Sequence, residues 1–216
     1  MSPRLLGLWF FPKHETVLPT TFQEKEWSKS LGSKRAIQYV LARGKVRLTL
    51  SSLFGIPPLD VPLIAPPGEP PKLAEGFGHI SISHCKDALI IGWSKKRIGI
   101  DIERADRSFN PKKLIKRYFQ KNEEEELLKL DYEKMRDRTL DLWIIKEAAI
   151  KFQEGSIALD LRQWEYINQS SIAINKTSNY KVSIRKIDFK EWKIAVAYDS
   201  GTYDQNPIIC NEMFQG

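Results

Sequence analysis

The segment Gly99-Ile100-Asp101-Ile102-Glu103 alternates apolar and acidic residues. Drawn out as a strand, it sends Asp101 and Glu103 to one side and Ile100 and Ile102 to the other. Two carboxylates on one strand face repel each other. Something must compensate: a hard cation, a nearby basic group, or plain exposure to water at a strand end. Mg²⁺ suits such a pair, because it takes one or two carboxylates together with waters and phosphate oxygens. A further acid, Glu147, lies in Trp143-Ile144-Ile145-Lys146-Glu147-Ala148-Ala149-Ile150-Lys151. On a helix it stacks one turn from both Trp143 and Lys151, in surroundings apolar enough for a largely buried helix. A buried glutamate needs a partner, either a metal ion or Lys151 in a structural i,i+4 pair. The third constellation is Ile80-Ser81-Ile82-Ser83-His84-Cys85. Neighbouring Ser83 and His84 point to opposite sides of a strand, which disfavours a nucleophile–base dyad. His84 at a strand end could donate to a phosphate, or be an ordinary half-buried histidine.

The elements that must position these residues can be read from pattern. Residues 5–11 read as a strand: the apolar run is too short to span a membrane and lacks the small-residue cleavage site of a signal peptide. Residues 22–31 read as a helix capped by Thr20 or Thr21, with Glu24 near its start. Residues 33–50 form a second, ending near Phe54-Gly55 and carrying Arg35, Arg43, Lys45 and Arg47. The proline-dense stretch 57–71 must be an irregular or extended connection. Residues 80–83, 88–93 and 97–103 read as strands. Asn110-Pro111 opens a helix through Phe119, Asn122 opens another, and 136–153 is the longest helical stretch, with Gly155 as its stop. Strands follow at 157–161, 164–167, 171–175, 180–187 and 192–198, and the tail from Thr202 is expected to be loose. Strand and long helix do not alternate regularly, so the expected class is α+β with mostly antiparallel pairing.

The chain has 216 residues, a hydrophobic fraction of 42% and a net charge of +7. That describes a soluble globular protein of one large domain or two small ones. Its basic balance favours a polyanionic partner: nucleic acid, an acidic protein, a phosphorylated ligand or an anionic membrane. Cys85 and Cys210 form no CxxC pair, so zinc-ribbon and thioredoxin chemistry are not indicated, and a reducing cytoplasm is the expected home. No helix-turn-helix, RNP-like or zinc-finger pattern accompanies the charge.

In chain order, Ser83-His84, Gly99 to Glu103 and Trp-x-x-Lys-Glu-Ala-x-x-Lys at 143–151 resemble the 4′-phosphopantetheinyl transferases of the long, surfactin-synthetase-activating type. The resemblance covers residues 35–161. It implies two similar α/β subdomains forming a pseudodimer, residues 1–103 and 104–216, with the active site in the cleft between them. It implies Mg²⁺ on Asp101, Glu103 and Glu147, and coenzyme A as co-substrate. Ser83 and His84 would contact coenzyme A phosphates, Lys151 and Lys146 would steady the pyrophosphate, and Arg43 and Arg47 would serve the adenosine-phosphate end. The pattern departs from the family in two places. Gly68-Glu69-Pro70 stands where relatives often have Gly-Lys-Pro, so Lys72 is the substitute for the missing lysine. Gln38 stands near a frequent arginine, a role left to Arg35 or Arg43.

The implied activity is that of a holo-[acyl-carrier-protein] synthase. A serine of an apo acyl or peptidyl carrier protein attacks the β-phosphoryl group of coenzyme A and expels 3′,5′-ADP. The nucleophile belongs to the partner, in keeping with the absence of a GxSxG elbow. Glu147 or a metal-bound water would accept the serine proton. Carriers of fatty-acid, polyketide and nonribosomal peptide assembly are all acidic enough to be steered by a basic enzyme. Lys112, Lys113, Lys116 and Arg117, beside Phe109 and Leu114, form either a docking surface or a solvated basic face. A cytoplasmic monomer is expected, with neither nucleic acid nor membrane as partner. The rival readings are a Mg²⁺-dependent phosphodiesterase or nuclease and a non-catalytic nucleic-acid-binding module.

Overall fold

The computed structural model describes residues 6–12, 18–155 and 160–199, together with the backbone of 208–211. Strand β1 (Leu6–Pro12) is followed by helices α1 (Phe22–Ser28) and α2 (Ser33–Phe54). The short strands β2 (Leu63–Ile64) and β3 (Lys72–Leu73) pair across the proline-dense connection. Then come β4 (His79–His84), β5 (Ala88–Ser94) and β6 (Ile98–Arg104). Helices α3 (Pro111–Tyr118), α4 (Lys121–Leu127) and α5 (Tyr132–Phe152) precede β7 (Trp164–Ile167), β8 (Ile172–Asn175), β9 (Lys181–Phe189), β10 (Trp192–Tyr198) and β11 (Ile208–Asn211).

Local chemistry explains most boundaries. At α1, Thr21 accepts from the Glu24 N–H while the Glu24 carboxylate accepts from the Thr21 N–H, a reciprocal capping box. Helix α2 stops at Gly55, whose φ of 68° needs a residue free of a Cβ clash and whose N–H returns to Ser51 O. Some expectations are corrected. Helix α4 is capped by Gln120, not opened at Asn122, because Gln120 and Glu123 satisfy each other's end groups. Helix α5 starts at Tyr132, where Asp131 caps Lys134 N–H, and α2 is one residue longer than α5. Glu154, not Gly155, takes the left-handed turn after α5, with φ 57°. Of the strand expected at 157–161, Leu161 lies in a 3-10 turn and residues 157–159 fall outside the described residues. The tail holds β11, which pairs in parallel with β1.

Two antiparallel-dominated sheets result, in the orders β11-β1-β5-β4 and β6-β10-β9-β8-β7. Alternation sorts their side chains. Trp9, Phe11, Ile80 and Ile91 pack on Val46 and Leu50 of α2. Leu8, Phe10 and Ile90 pack on Ile100, Ile102, Ile194 and Val196 of the second sheet. The far face of that sheet, with Val182, Ile184, Ala195 and Ala197, packs on α5. The layers are therefore α2, sheet, sheet, α5, an α+β architecture. By hydrogen bonding β6 belongs with the C-terminal strands and β11 with the N-terminal ones, so the sheets do not divide at residue 103.

Candidate active site at the junction of β4, β6 and α5

Strand β6 is the edge of its sheet, and its outward N–H groups lack a ladder partner. Serines of β4 supply one instead: Ile100 N–H donates to Ser81 Oγ at 3.0 Å and Ile102 N–H to Ser83 Oγ at 3.3 Å. This stitches the two sheets together beside the acid pair. The inward face of β6 carries fully buried Ile100 and Ile102, so the alternating residues Gly99, Asp101 and Glu103 turn toward α5. Gly99 makes the approach possible, because a Cβ there would overlap the backbone of Ala148 and Phe152. The helix arrives with Glu147 and Lys151 on the contacting side.

Asp101 is 2% exposed. Its Oδ1 accepts from Ser83 Oγ and from Lys151 Nζ, both at 2.6 Å. Lys151 Nζ also donates to Ser83 Oγ at 2.9 Å and lies 3.9 Å from Glu147 Oε2. The Ser83 hydroxyl thus uses its one proton and both lone pairs. Glu103 is paired with Arg107, whose guanidinium lies near the rings of Phe109 and Trp143. Asp101 Oδ2 is buried without a partner.

The carboxylates perturb one another as the sequence predicts. Burial, followed by the Asp101 charge, pushes Glu147 up to about 8 despite the opposing effect of Lys151. Burial likewise raises Glu103 to about 7, with Arg107 pulling against it. A hydrogen bond between Glu147 and Asp101 forms only when one of them holds a proton; ionised, they repel. His84, at the exposed end of β4, is held below the ordinary histidine range by desolvation first and the Lys151 charge second.

Among the described residues no three His, Cys, Asp or Glu side chains are already grouped as a metal cluster. The cations present are the protein's own: Lys151 on Asp101, Arg107 on Glu103. The donor set still fits a hard divalent ion. It is all oxygen, one buried Asp101 oxygen is unpartnered, and two further carboxylates are pushed toward the neutral form by burial and by the Asp101 charge. Beside this centre lies a cleft of about 860 Å³ whose lining includes Glu69, Lys72, Lys95, Arg97 and Lys151. Another, of about 880 Å³, includes Gln38, His84, Glu103 and Arg107.

Asp101, Glu103, Glu147, Lys151 and Ser83 therefore come together, with His84 close enough to feel the Lys151 and Asp101 charges. Other expectations are corrected. Lys146 is fully buried, ion-paired with Glu123 and set over the Phe119 ring, so it fastens α4 to α5 and does not reach a pyrophosphate. Arg47 is 3% exposed; its Nε bonds both Glu24 oxygens and its Nη1 the carbonyls of Pro58 and Val61. It is a structural staple, unavailable to coenzyme A. Arg43 is buried on Ala65 O and the Tyr39 ring, although its charge reaches His84. Lys72 is exposed, 3.6 Å from Glu154. Arg107 escaped the sequence reading, although its place four residues after Glu103 was the available signal.

Residues 97–203 match the family model described as the 4′-phosphopantetheinyl transferase superfamily, a span that holds Asp101, Glu103, Glu147 and Lys151. Over that span the chain is similar to the 4′-phosphopantetheinyl transferase superfamily. A curated relative, 4′-phosphopantetheinyl transferase Sfp of Bacillus subtilis (strain 168), is 34% identical over 83 residues, which are 38% of this chain and 36% of that protein. The chain thus matches little more than a third of the relative's length. Neither match points to a nuclease or a nucleic-acid-binding module. Among the described residues no helix is long and apolar enough to cross a membrane.

Proposed function

We propose that this protein transfers the 4′-phosphopantetheine arm of coenzyme A to a serine of an apo acyl or peptidyl carrier protein, releasing 3′,5′-ADP. The observation that carries the reading is the convergence of Asp101, Glu103, Glu147 and Lys151 where α5 crosses β6. The family match supports it, as do Lys95, Arg97 and Lys151 in a cleft whose lining mixes these cations with Glu69, Glu75 and Glu154.

Asp101, Glu103 and Glu147 would hold Mg²⁺, which would supply neutralising charge at the diphosphate. The residues themselves have distinct tasks. A carboxylate oxygen of Glu147 accepts the proton of the attacking serine as its oxygen bonds to the β-phosphorus and the bond to the 3′,5′-ADP oxygen breaks. The Lys151 ammonium, anchored by Asp101 and Ser83, stabilises charge on the departing phosphate. His84, with Arg43 behind it and Lys72 on the cleft rim, contacts the remaining phosphates. Among the described residues, the Ser83 hydroxyl at this centre is already committed to Asp101, Lys151 and the Ile102 N–H, in keeping with a nucleophile supplied by the partner.

The two halves, residues 1–103 and 104–216, are read as the related subdomains of a monomeric, cytoplasmic pseudodimer. Each offers one long helix, α2 or α5, packed on a mainly antiparallel sheet. Helix α3 buries Ile115 and leaves Lys112, Lys113 and Lys116 exposed, which suits an acidic carrier. The test is to incubate the protein with an apo carrier, Mg²⁺ and coenzyme A and to weigh the carrier. Gain of one phosphopantetheine arm supports the reading; an unchanged mass across a panel of fatty-acid, polyketide and peptide carriers rejects it.

A further inference from the structure

The acidic centre carries cations of its own. Lys151 Nζ is 2.6 Å from Asp101 Oδ1 and 3.9 Å from Glu147 Oε2, and Arg107 is paired with Glu103. Three carboxylates thus face two fixed positive charges. Arg107 is held by Glu103 and lies near the rings of Phe109 and of Trp143 on α5. Lys151 differs: it lies inside the carboxylate group and also lines the cleft, so any divalent ion reaching Asp101 Oδ2 meets its charge at close range. Two positive charges a few ångströms apart in a partly buried site repel by several kcal/mol at an effective dielectric of about 20. The same ammonium attracts a diphosphate entering the cleft.

We infer that Lys151 opposes binding of the divalent ion alone and favours binding of the diphosphate, so that the site fills securely only when ion and diphosphate arrive together. The inference rests on the proposed function, since it takes Asp101, Glu103 and Glu147 as the ion's ligands. Coupling of this kind is reciprocal: whatever Lys151 costs the ion, the incoming negative charge returns. The physical consequence is a site that takes up its metal ion together with the diphosphate.

The test is calorimetric and needs no turnover. Mg²⁺ alone and inorganic pyrophosphate alone are titrated into the wild type, Lys151→Met, Lys151→Gln and Lys151→Arg, each checked for folding by circular dichroism. The neutral variants should bind Mg²⁺ roughly tenfold tighter or more than the wild type, and pyrophosphate more weakly. Lys151→Arg should follow the wild type in both. These opposite signs distinguish the inference from a merely structural role, in which both affinities would fall together. If Mg²⁺ binds the neutral variants no tighter than the wild type, the inference is overturned, while carrier modification by the wild type would leave the proposed function standing. A wild type that modifies no carrier, together with neutral variants that bind no Mg²⁺, overturns both.

Discussion

Two buried ionic centres in this molecule are built on different rules. At the α1–α2 contact, Arg47 meets Glu24 through Nε at 2.8 and 3.0 Å. The remaining Glu24 demand is met by Thr21 N–H, and Arg47 Nη1 donates to backbone carbonyls. Every charge has its counterpart, and the pair is closed to solvent. At the β4–β6–α5 junction the acids outnumber their cations, one Asp101 oxygen is buried without a partner, and Glu103 and Glu147 are displaced to about 7 and 8. A saturated centre closes a packing contact. An unsaturated one carries an electrostatic cost that protonation or a bound cation relieves, which supports the proposal that it is the working site.

The contrast breaks most sharply at its acidic end. Glu147→Gln should lower carrier modification by about 10²–10⁴-fold while thermal stability holds or rises, and Asp101→Ala should abolish modification at some cost in stability, because Ser83 and Lys151 lose their acceptor. Near wild-type turnover in either variant would remove the distinction between the two centres. At the saturated end, Arg47→Met leaves Glu24 buried and unpaired and should cost about 3–5 kcal/mol in urea denaturation, with activity per folded molecule retained. A stable but inactive Arg47→Met would instead place that arginine in the site.

Gly99→Ala tests whether the junction depends on the close approach of α5. The added methyl should destabilise by about 1–3 kcal/mol and reduce turnover by moving Glu147 and Lys151 from Asp101; unchanged stability and turnover would contradict the packing. A pH series sharpens the electrostatic side. Glu103 and Glu147 have folded pKa values raised above the ordinary 4.5. The folded state therefore binds more protons than the unfolded one between about pH 4.5 and 8, and stability falls as pH rises through that window. In EDTA, melting temperatures of the wild type should decline across it more than those of Glu147→Gln; parallel curves would refute the shift. The smallest effect is expected at the periphery. Lys112→Glu with Lys113→Glu should raise the KM for carrier a few-fold and weaken its salt dependence with kcat unchanged, and an unaltered KM would exclude α3 as the docking face.

The sequence by itself determined a good deal. Period-two alternation placed β4 and β6, and a short apolar run placed β5; alternation also told which side of β6 carries Asp101 and Glu103, because facing on a strand is a local property. Capping chemistry located α1 and α3 through Thr21 and Asn110. Tertiary structure alone decided where the charges went. Lys146 and Lys151 share one helix and one motif, yet Lys146 turns into the α4 contact and Lys151 into the acids. Arg47 looked like a phosphate ligand and proved to be a staple. Strand β11 was invisible because a short edge strand is specified by the neighbour it pairs with, here β1. Backbone conformation answers to residues within a turn or two; the partner of a long charged side chain answers to whichever element packs beside it.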